Sequence, residues 1–279
     1  MNSSSFPSDF VTQPPSEPPK RVGPRILTAL VGIPLVLLVV WLGGAVFRLF
    51  CLILALGAMR ELQVAFGKSN RAGGAKIIGT IAYPAIFVAV WHGLSSSFPW
   101  GLLVALLTIS VLLFGRATRL TLLSVSVTML ATLYVSIFAL LPTLRAGGDG
   151  ELFYLALFSV WASDTAAYYG GRALGKSPFS PLSPGKTREG ALCGAGAAII
   201  VAAYIASRAG FPLFQCLMLG FIVAVAAPLG DLAESFWKRE LGVKDMGAVF
   251  PGHGGILDRC DSLLFAVLAL FLYFAWLSP

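Results

Sequence analysis

Nine long apolar runs dominate this sequence and limit what it can fold into. Most of them are close to the roughly 20 residues that a helix needs to span a bilayer. Hydrophobic residues make up 57% of the chain and charged residues only 12%, whereas about a quarter of residues are charged in an ordinary globular protein. The sequence therefore predicts an all-α, polytopic membrane helical bundle with about nine transmembrane helices, at residues 25–44, 46–65, 76–92, 99–115, 120–143, 151–170, 190–207, 212–237 and 260–277.

The segment before the first apolar run has a different composition. Residues 1–22 are rich in Pro and Ser and hold few apolar side chains, so we expect a disordered tail. Residues 23–279 then form a single integral-membrane domain. The cysteines are scattered singly along the chain, which indicates neither a disulfide framework nor a zinc site; they are Cys51, Cys193, Cys216 and Cys260.

The basic residues are distributed unevenly between alternate connecting segments. If the N-terminus lies in the cytoplasm, the outer side receives only three of the 20 Lys and Arg residues, namely Arg48, Arg145 and Arg208. This asymmetry follows the positive-inside rule. It predicts that the polar loops at 171–190 and 238–259 face the cytoplasm and that the C-terminus lies outside. The net charge of +7 has the same origin, and no basic cluster with interleaved aromatic residues indicates nucleic-acid binding.

One stretch, residues 231–262, concentrates charge beside the apolar runs. It holds six of the 13 acidic residues, and such charge is costly next to membrane segments unless it is paired or binds something. If the apolar run from Leu213 continues as a helix to about residue 239, then Asp231, Glu234 and Lys238 lie on one face of that helix.

A second pair of carboxylates, Asp258 and Asp261, lies at the start of the last apolar run. These two residues are three apart, so they also share a helix face. Carboxylate pairs on facing helix ends, joined by a glycine-rich loop, predict an oxygen-rich site suited to Mg²⁺. The candidate ligands are Asp231, Asp258 and Asp261. The alternative is a loop whose helix ends are held by salt bridges with no ligand.

A further carboxylate, Asp164, lies within the sixth apolar run. A charge at this depth indicates a polar cavity inside the bundle, which makes Asp164 an additional candidate metal ligand, although hydrogen bonding to a neighbouring Ser or Thr is the alternative. Residues 170–177 read GGRALGKS and match the phosphate-loop pattern. That motif functions only between a strand and a helix, and here an apolar helix precedes it and Pro178 follows, so we do not expect a phosphate loop.

The residues from Ser235 to Asp261 read S-x-x-K-R-x-x-x-x-K-D-x-G-x-x-x-P-G-H-G-G-x-x-D-R-x-D. This pattern resembles the signature of the phosphatidate cytidylyltransferase family, also called CDP-diacylglycerol synthases. Trp237 departs from the family, which usually has an aliphatic residue or Phe there. Residues 183–190 also resemble the family's S-P-K-K-T-x-E-G segment, with Gly185 in place of one lysine.

The resemblance implies a nucleotidyltransferase of phospholipid biosynthesis that converts CTP and phosphatidic acid to CDP-diacylglycerol and pyrophosphate with Mg²⁺ as cofactor. It implies catalytic roles for Asp231, Lys238, Arg239, Asp258 and Asp261. It implies substrate contacts for Ser235, Lys244, His253, Arg259, Lys186 and Thr187. It also implies a homodimer in the bacterial cytoplasmic (inner) membrane, with the active site facing the cytoplasm.

Two other functions are compatible with charges inside a membrane bundle. An ion-coupled transporter would use the same carboxylates to bind a translocated cation, but it often shows internal repeats with paired broken helices, which this sequence lacks. A lipid kinase that uses CTP, such as a polyprenol kinase, would need similar phosphate-binding groups. Its product would carry a phosphate rather than CMP.

Overall fold

The computed structural model describes residues 22–68, 130–147, 149–250 and 254–276. These residues form mainly helices, which confirms the predicted class. The elements in chain order are α1 (Val22–Leu42), α2 (Gly44–Lys68), a short 3-10 helix (Ile137–Ala139), α3 (Leu140–Ala146), α4 (Glu151–Leu174), strands β1 (Pro178–Ser180) and β2 (Ser183–Thr187), α5 (Arg188–Arg208), α6 (Leu213–Leu241) and α7 (Leu257–Trp276).

The described part of the chain contains helices with the length and composition of transmembrane helices. Within it, three helices are long and apolar enough to cross a bilayer, Gly44–Phe66, Arg188–Arg208 and Leu213–Leu241. The predicted tail up to residue 21, the predicted spans at 76–92 and 99–115, and the first part of the span at 120–143 lie outside the described residues. The count of nine spans therefore stays a prediction.

Helices α4, α5 and α6 pack closely because glycines stand at their contacts. A Cβ atom on Gly190 of α5 would lie 2.6 Å from the carbonyl oxygen of Ala167 in α4, and one on Gly220 of α6 would lie 2.8 Å from Cα of Ile199 in α5. Small residues allow helix backbones to approach in this way, which is the usual basis of helix packing in membranes. These contacts bring the C-terminal ends of α4 and α6 to the same region.

A short antiparallel hairpin of β1 and β2 joins α4 to α5, which the all-helical prediction did not include. The Oγ1 atom of Thr187 accepts the N–H of Gly190 at 3.1 Å and caps α5. Glu189 Oε2 accepts the N–H groups of Lys176 at 3.0 Å and Ser177 at 3.2 Å. The hairpin is thus tied to the first turn of α5 at both of its ends.

The phosphate-loop pattern at 170–177 has the structural context that the sequence indicated. Its first residues belong to the end of α4, and a helix rather than a strand precedes them. A Cβ on Gly170 would lie 2.6 Å from Sγ of Cys193, so this glycine serves helix packing. All four cysteines are free.

The N-terminal half contributes a buried helix face to the core. On α2, side chains at helical spacing are 0–1% exposed, including Phe47, Cys51, Ala55 and Met59. The Phe47 ring meets the Phe153 ring of α4 edge-on, with centroids 5.0 Å apart. Helix α2 is therefore packed among the helices that carry the charged residues.

Candidate active site

Helices α6 and α7 cross at Gly230, and this crossing brings two predicted carboxylates together. A Cβ on Gly230 would overlap the carbonyl oxygen of Asp261 and lie 3.0 Å from Cβ of Phe265. Asp231, the next residue on α6, therefore lies beside Asp261, and the two carboxylates interact electrostatically. Asp261 is 8% exposed and accepts the N–H of Ser262 at 2.7 Å.

Lys238 joins the two helices two turns further along α6. Its Nζ atom lies 2.8 Å from Glu234 Oε2 and 2.5 Å from Asp258 Oδ1. The helix does continue past residue 239, so Asp231, Glu234 and Lys238 share a face as the spacing predicted. Because both carboxylates in this bridge are buried, removing the ammonium would take away the positive charge that both of them contact.

The chain turns sharply after Lys238. Gly242 adopts the left-handed conformation with φ of 66°. Its N–H donates to the Arg239 carbonyl at 3.1 Å, and the N–H of Val243 donates to the Lys238 carbonyl at 2.9 Å. This is a Schellman motif, which favours glycine at the left-handed position. It turns the chain so that the Met246 N–H reaches Asp258 of α7.

Asp258 pairs with Lys238 and also accepts hydrogen bonds from the backbone of the segment between α6 and α7. Its Oδ2 atom accepts the N–H of Met246 at 3.0 Å and that of Gly255 at 2.6 Å. The sequence predicts a metal ligand at this position, but in the structure two backbone donors and an ammonium already engage the carboxylate. Asp258 is thus well placed to shape the loop.

Lys186 connects the β hairpin to the carboxylates. Its Nζ atom lies 2.6 Å from Asp231 Oδ2, and the two side chains are 45% and 24% exposed. Asp164 also belongs to this region, since the charges that act on it include Asp261, Lys186, Asp231 and Arg259. Three carboxylates predicted from separate segments therefore converge beside an accessible lysine.

The carboxylate oxygens suit Mg²⁺ in their chemistry. Among the described residues, no group of three or more His, Cys, Asp or Glu side chains is placed to hold a metal ion. Mg²⁺ commonly uses only one or two carboxylates together with waters and substrate phosphates, and Asp231 beside Asp261 provides such a pair. The chemistry of this pair therefore fits Mg²⁺ with waters or phosphates as its further ligands, and the metal itself stays a prediction.

The structure describes most of the other predicted substrate contacts. Arg239, Lys244 and Arg259 are exposed and Ser235 is half-buried. Thr187 caps α5, and His253 lies outside the described residues. Trp237 packs between the Phe66 and Tyr134 rings, with centroids 5.9 and 5.6 Å away, which agrees with an apolar role.

Sequence reasoning did not select two buried carboxylates as site residues. Glu234 was noted on the face of α6, and the structure adds that it is 3% exposed and bonded to Lys238. Glu61 of α2, 6% exposed, reaches the loop before α7. The signal that indicated Asp164, a carboxylate inside an apolar run, was present for Glu61 too.

Comparison with known proteins identifies the family of this chain. A model described as "Cytidylyltransferase family" matches residues 23–277. A protein of Helicobacter pylori named phosphatidate cytidylyltransferase is 44% identical over 143 residues, which cover 50% of this chain and 53% of that protein. Proteins of the same name are 36% identical in Brucella suis over 89% of this chain and 92% of that protein, and 33% identical in Staphylococcus haemolyticus over 87% and 95%. The chain belongs to the cytidylyltransferase family.

Proposed function

We infer that the chain is a CTP:phosphatidate cytidylyltransferase of phospholipid biosynthesis. It converts phosphatidic acid and CTP to CDP-diacylglycerol and pyrophosphate. The family match over residues 23–277 carries this conclusion, together with relatives of that name aligned over most of the chain. The site supports it, because carboxylates and accessible cations lie close together there, and binding of a triphosphate and a lipid phosphate needs both.

The reaction is a displacement at phosphorus. An oxygen of the lipid phosphate forms a bond to the α-phosphorus of CTP, and the bond from that phosphorus to the oxygen bridging to the β-phosphate breaks. Pyrophosphate leaves with the electron pair. Such transfers rest mainly on positioning and on stabilisation of charge. Lys186 and Arg259, both exposed at the carboxylate cluster, are the residues we propose to hold phosphate oxygens, joined by Arg239 and Lys244.

We propose Mg²⁺ as the cofactor, held by Asp231 and Asp261 with Asp164 nearby. When bound, it would neutralise charge on the phosphates and on the leaving pyrophosphate. Asp258 and Lys238 keep the two helices in register beneath this pair. Removal of divalent ions with a chelator is expected to stop turnover and added Mg²⁺ to restore it; full activity after chelation would contradict the assignment.

The proposed arrangement in the membrane has nine spans, with the N-terminus and the active site on the cytoplasmic side of the bacterial inner membrane. The distribution of basic residues supports this orientation. A C-terminal alkaline phosphatase fusion should be active, and an active cytoplasmic reporter at Pro279 would show that the span count is wrong. The family resemblance also favours a homodimer, which the mass of the purified protein in detergent would test.

Product analysis tests the function against the lipid-kinase alternative. Purified protein receives phosphatidic acid, Mg²⁺ and CTP labelled at either the α- or the γ-phosphate. A cytidylyltransferase transfers the α-label to lipid as CMP and releases the γ-label in pyrophosphate. Lipid labelled only from the γ-position would identify a kinase and overturn the proposal.

A further inference from the structure

Glu61 is a buried carboxylate of α2 that contacts the beginning of α7. Its two oxygens each lie 2.9 Å from the Ile256 nitrogen, and Oε2 also accepts the N–H of Leu257 at 3.2 Å. Helix α7 begins at Leu257, and N–H groups at a helix start have no partner within the helix. A negative charge here also interacts favourably with the helix dipole. Glu61 therefore helps to fix where α7 begins.

Two residues that face the Glu61 carboxylate before α7 are glycines, Gly247 and Gly255. A Cβ on Gly255 would lie 2.5 Å from both Glu61 oxygens, and a Cβ on Gly247 would overlap the same carboxylate. One turn earlier on α2, Gly57 leaves space for the Ile256 side chain. Gly247 and Gly255 belong to the glycine-rich loop that the sequence associated with a metal site, and in the structure they leave room for Glu61. Because glycines on α2 and on the segment before α7 both make room for the other side, the contact between the two segments is specific.

The segment that Glu61 holds carries two of the site's carboxylates. Asp258 follows Leu257 directly, accepts the Gly255 N–H at 2.6 Å and pairs with Lys238. Asp261 lies one turn further along α7, beside Asp231. A shift in the first turn of α7 would therefore move Asp258 relative to Lys238 and Asp261 relative to Asp231.

We propose that Glu61 is a positioning residue for the cytidylyltransferase reaction. By accepting the N–H groups of Ile256 and Leu257, it holds the first turn of α7 so that Asp261 stays opposed to Asp231. Glu61 acts through this turn rather than on the substrates. The inference rests on the proposed function, and it assigns a role in the site to a helix far outside the signature segment.

The variant Glu61→Gln tests the proposal with little change in shape. Its amide keeps one oxygen but turns an NH₂ group towards backbone donors. We expect kcat per folded molecule to fall at least about tenfold, the scale on which residues that orient functional groups act. We also expect faster hydrogen exchange at residues 255–258, with no change in α5. The control is Glu151→Gln, which removes a carboxylate from the first turn of α4 and should match the wild type.

Two results would overturn the proposal. One is wild-type kcat and exchange in Glu61→Gln. The other is a lower yield of folded protein with unchanged kcat per folded molecule, since that is the result of a purely structural role. Inactivity of the wild-type protein in the same assay would instead refute the proposed function, and the exchange measurement would still test the contact.

A second variant provides the test if Glu61→Gln does not fold. Gly255→Ala presses on the same carboxylate, so we expect a similar loss of kcat and faster exchange at residues 255–258. Where both variants fold, the double variant should lose little more than the larger single loss, because both changes break one interaction. Additive losses would contradict the proposal.

Discussion

Two ion-paired groups lie about two turns apart on α6 and differ in burial. Asp231 pairs with Lys186, and these side chains are 24% and 45% exposed. Lys238 pairs with Glu234 and Asp258, where the side chains are 18%, 2% and 3% exposed. An exposed pair contributes only about 0–1 kcal/mol, whereas breaking a buried pair by removing one partner costs about 3–5 kcal/mol. Under the proposed function, Lys186 would therefore exchange Asp231 for a phosphate, while Lys238 would hold α6 against α7.

The largest effect on turnover is expected at Asp231 and Asp261, the proposed metal ligands. Asp231→Asn and Asp261→Asn keep the side-chain shape but remove the charge proposed to bind Mg²⁺. We expect activity to fall at least about a hundredfold, on the scale of losing an electrostatic group at a reacting centre, with the protein still folded in detergent. Near-normal activity of both variants at saturating Mg²⁺ would remove these residues from the metal site.

The largest effect on stability is expected at Lys238, in the buried ion-paired group. Lys238→Met removes the ammonium between Glu234 and Asp258 and leaves two buried carboxylates without it. We expect a loss of about 3–5 kcal/mol, measured as a lower melting temperature in detergent. The matched variant Lys186→Met should lose less stability, because Lys186 is 45% exposed and water can reach this pair from the lysine side. Equal melting temperatures for the two variants would contradict the distinction.

Asp258→Asn sharpens the same comparison. Asp258 belongs to the buried network and also accepts N–H groups of Met246 and Gly255. We therefore expect this variant to lose both activity and thermal stability, unlike Asp231→Asn, which should lose activity alone. A stable but inactive Asp258→Asn protein would instead favour a direct metal-ligating role.

A smaller effect is expected at Arg239, an exposed residue in the last turn of α6. If its planar guanidinium holds phosphate oxygens, a lysine cannot replace it. We expect Arg239→Lys to cut activity about tenfold, which corresponds to roughly 1.4 kcal/mol of transition-state stabilisation. The control is Arg208→Lys, an exposed arginine in the last turn of α5, which should have no effect. Unchanged kinetics in Arg239→Lys would mean that the charge of Arg239 only helps to orient the protein in the membrane.

The sequence predicted the parts of this site that depend on local periodicity. The shared face of Asp231, Glu234 and Lys238 follows from helical spacing, and so does the placement of Asp258 and Asp261 at the start of α7. Which of these carboxylates are free and which are paired depends on neighbours that spacing does not specify.

Contacts between distant segments were not predictable in this way. Glu61 meets Ile256 across 195 residues, and a single sequence carries no information that pairs them. The hairpin of β1 and β2 was missed because it is short and is fixed by the side chains of Thr187 and Glu189 at the start of α5 rather than by an alternating apolar pattern.

The most direct test compares two charge-conserving variants, Lys186→Arg and Lys238→Arg, because both keep the basic residues that orient the protein. Their kcat, KM for each substrate and melting temperature would be measured in one detergent. The account predicts that Lys186→Arg melts like the wild type and changes mainly KM. It predicts that Lys238→Arg melts lower and loses at least about tenfold in kcat, because the larger guanidinium does not fit between Glu234 and Asp258. Wild-type stability and kcat in Lys238→Arg, or a lowered melting temperature in Lys186→Arg alone, would contradict it.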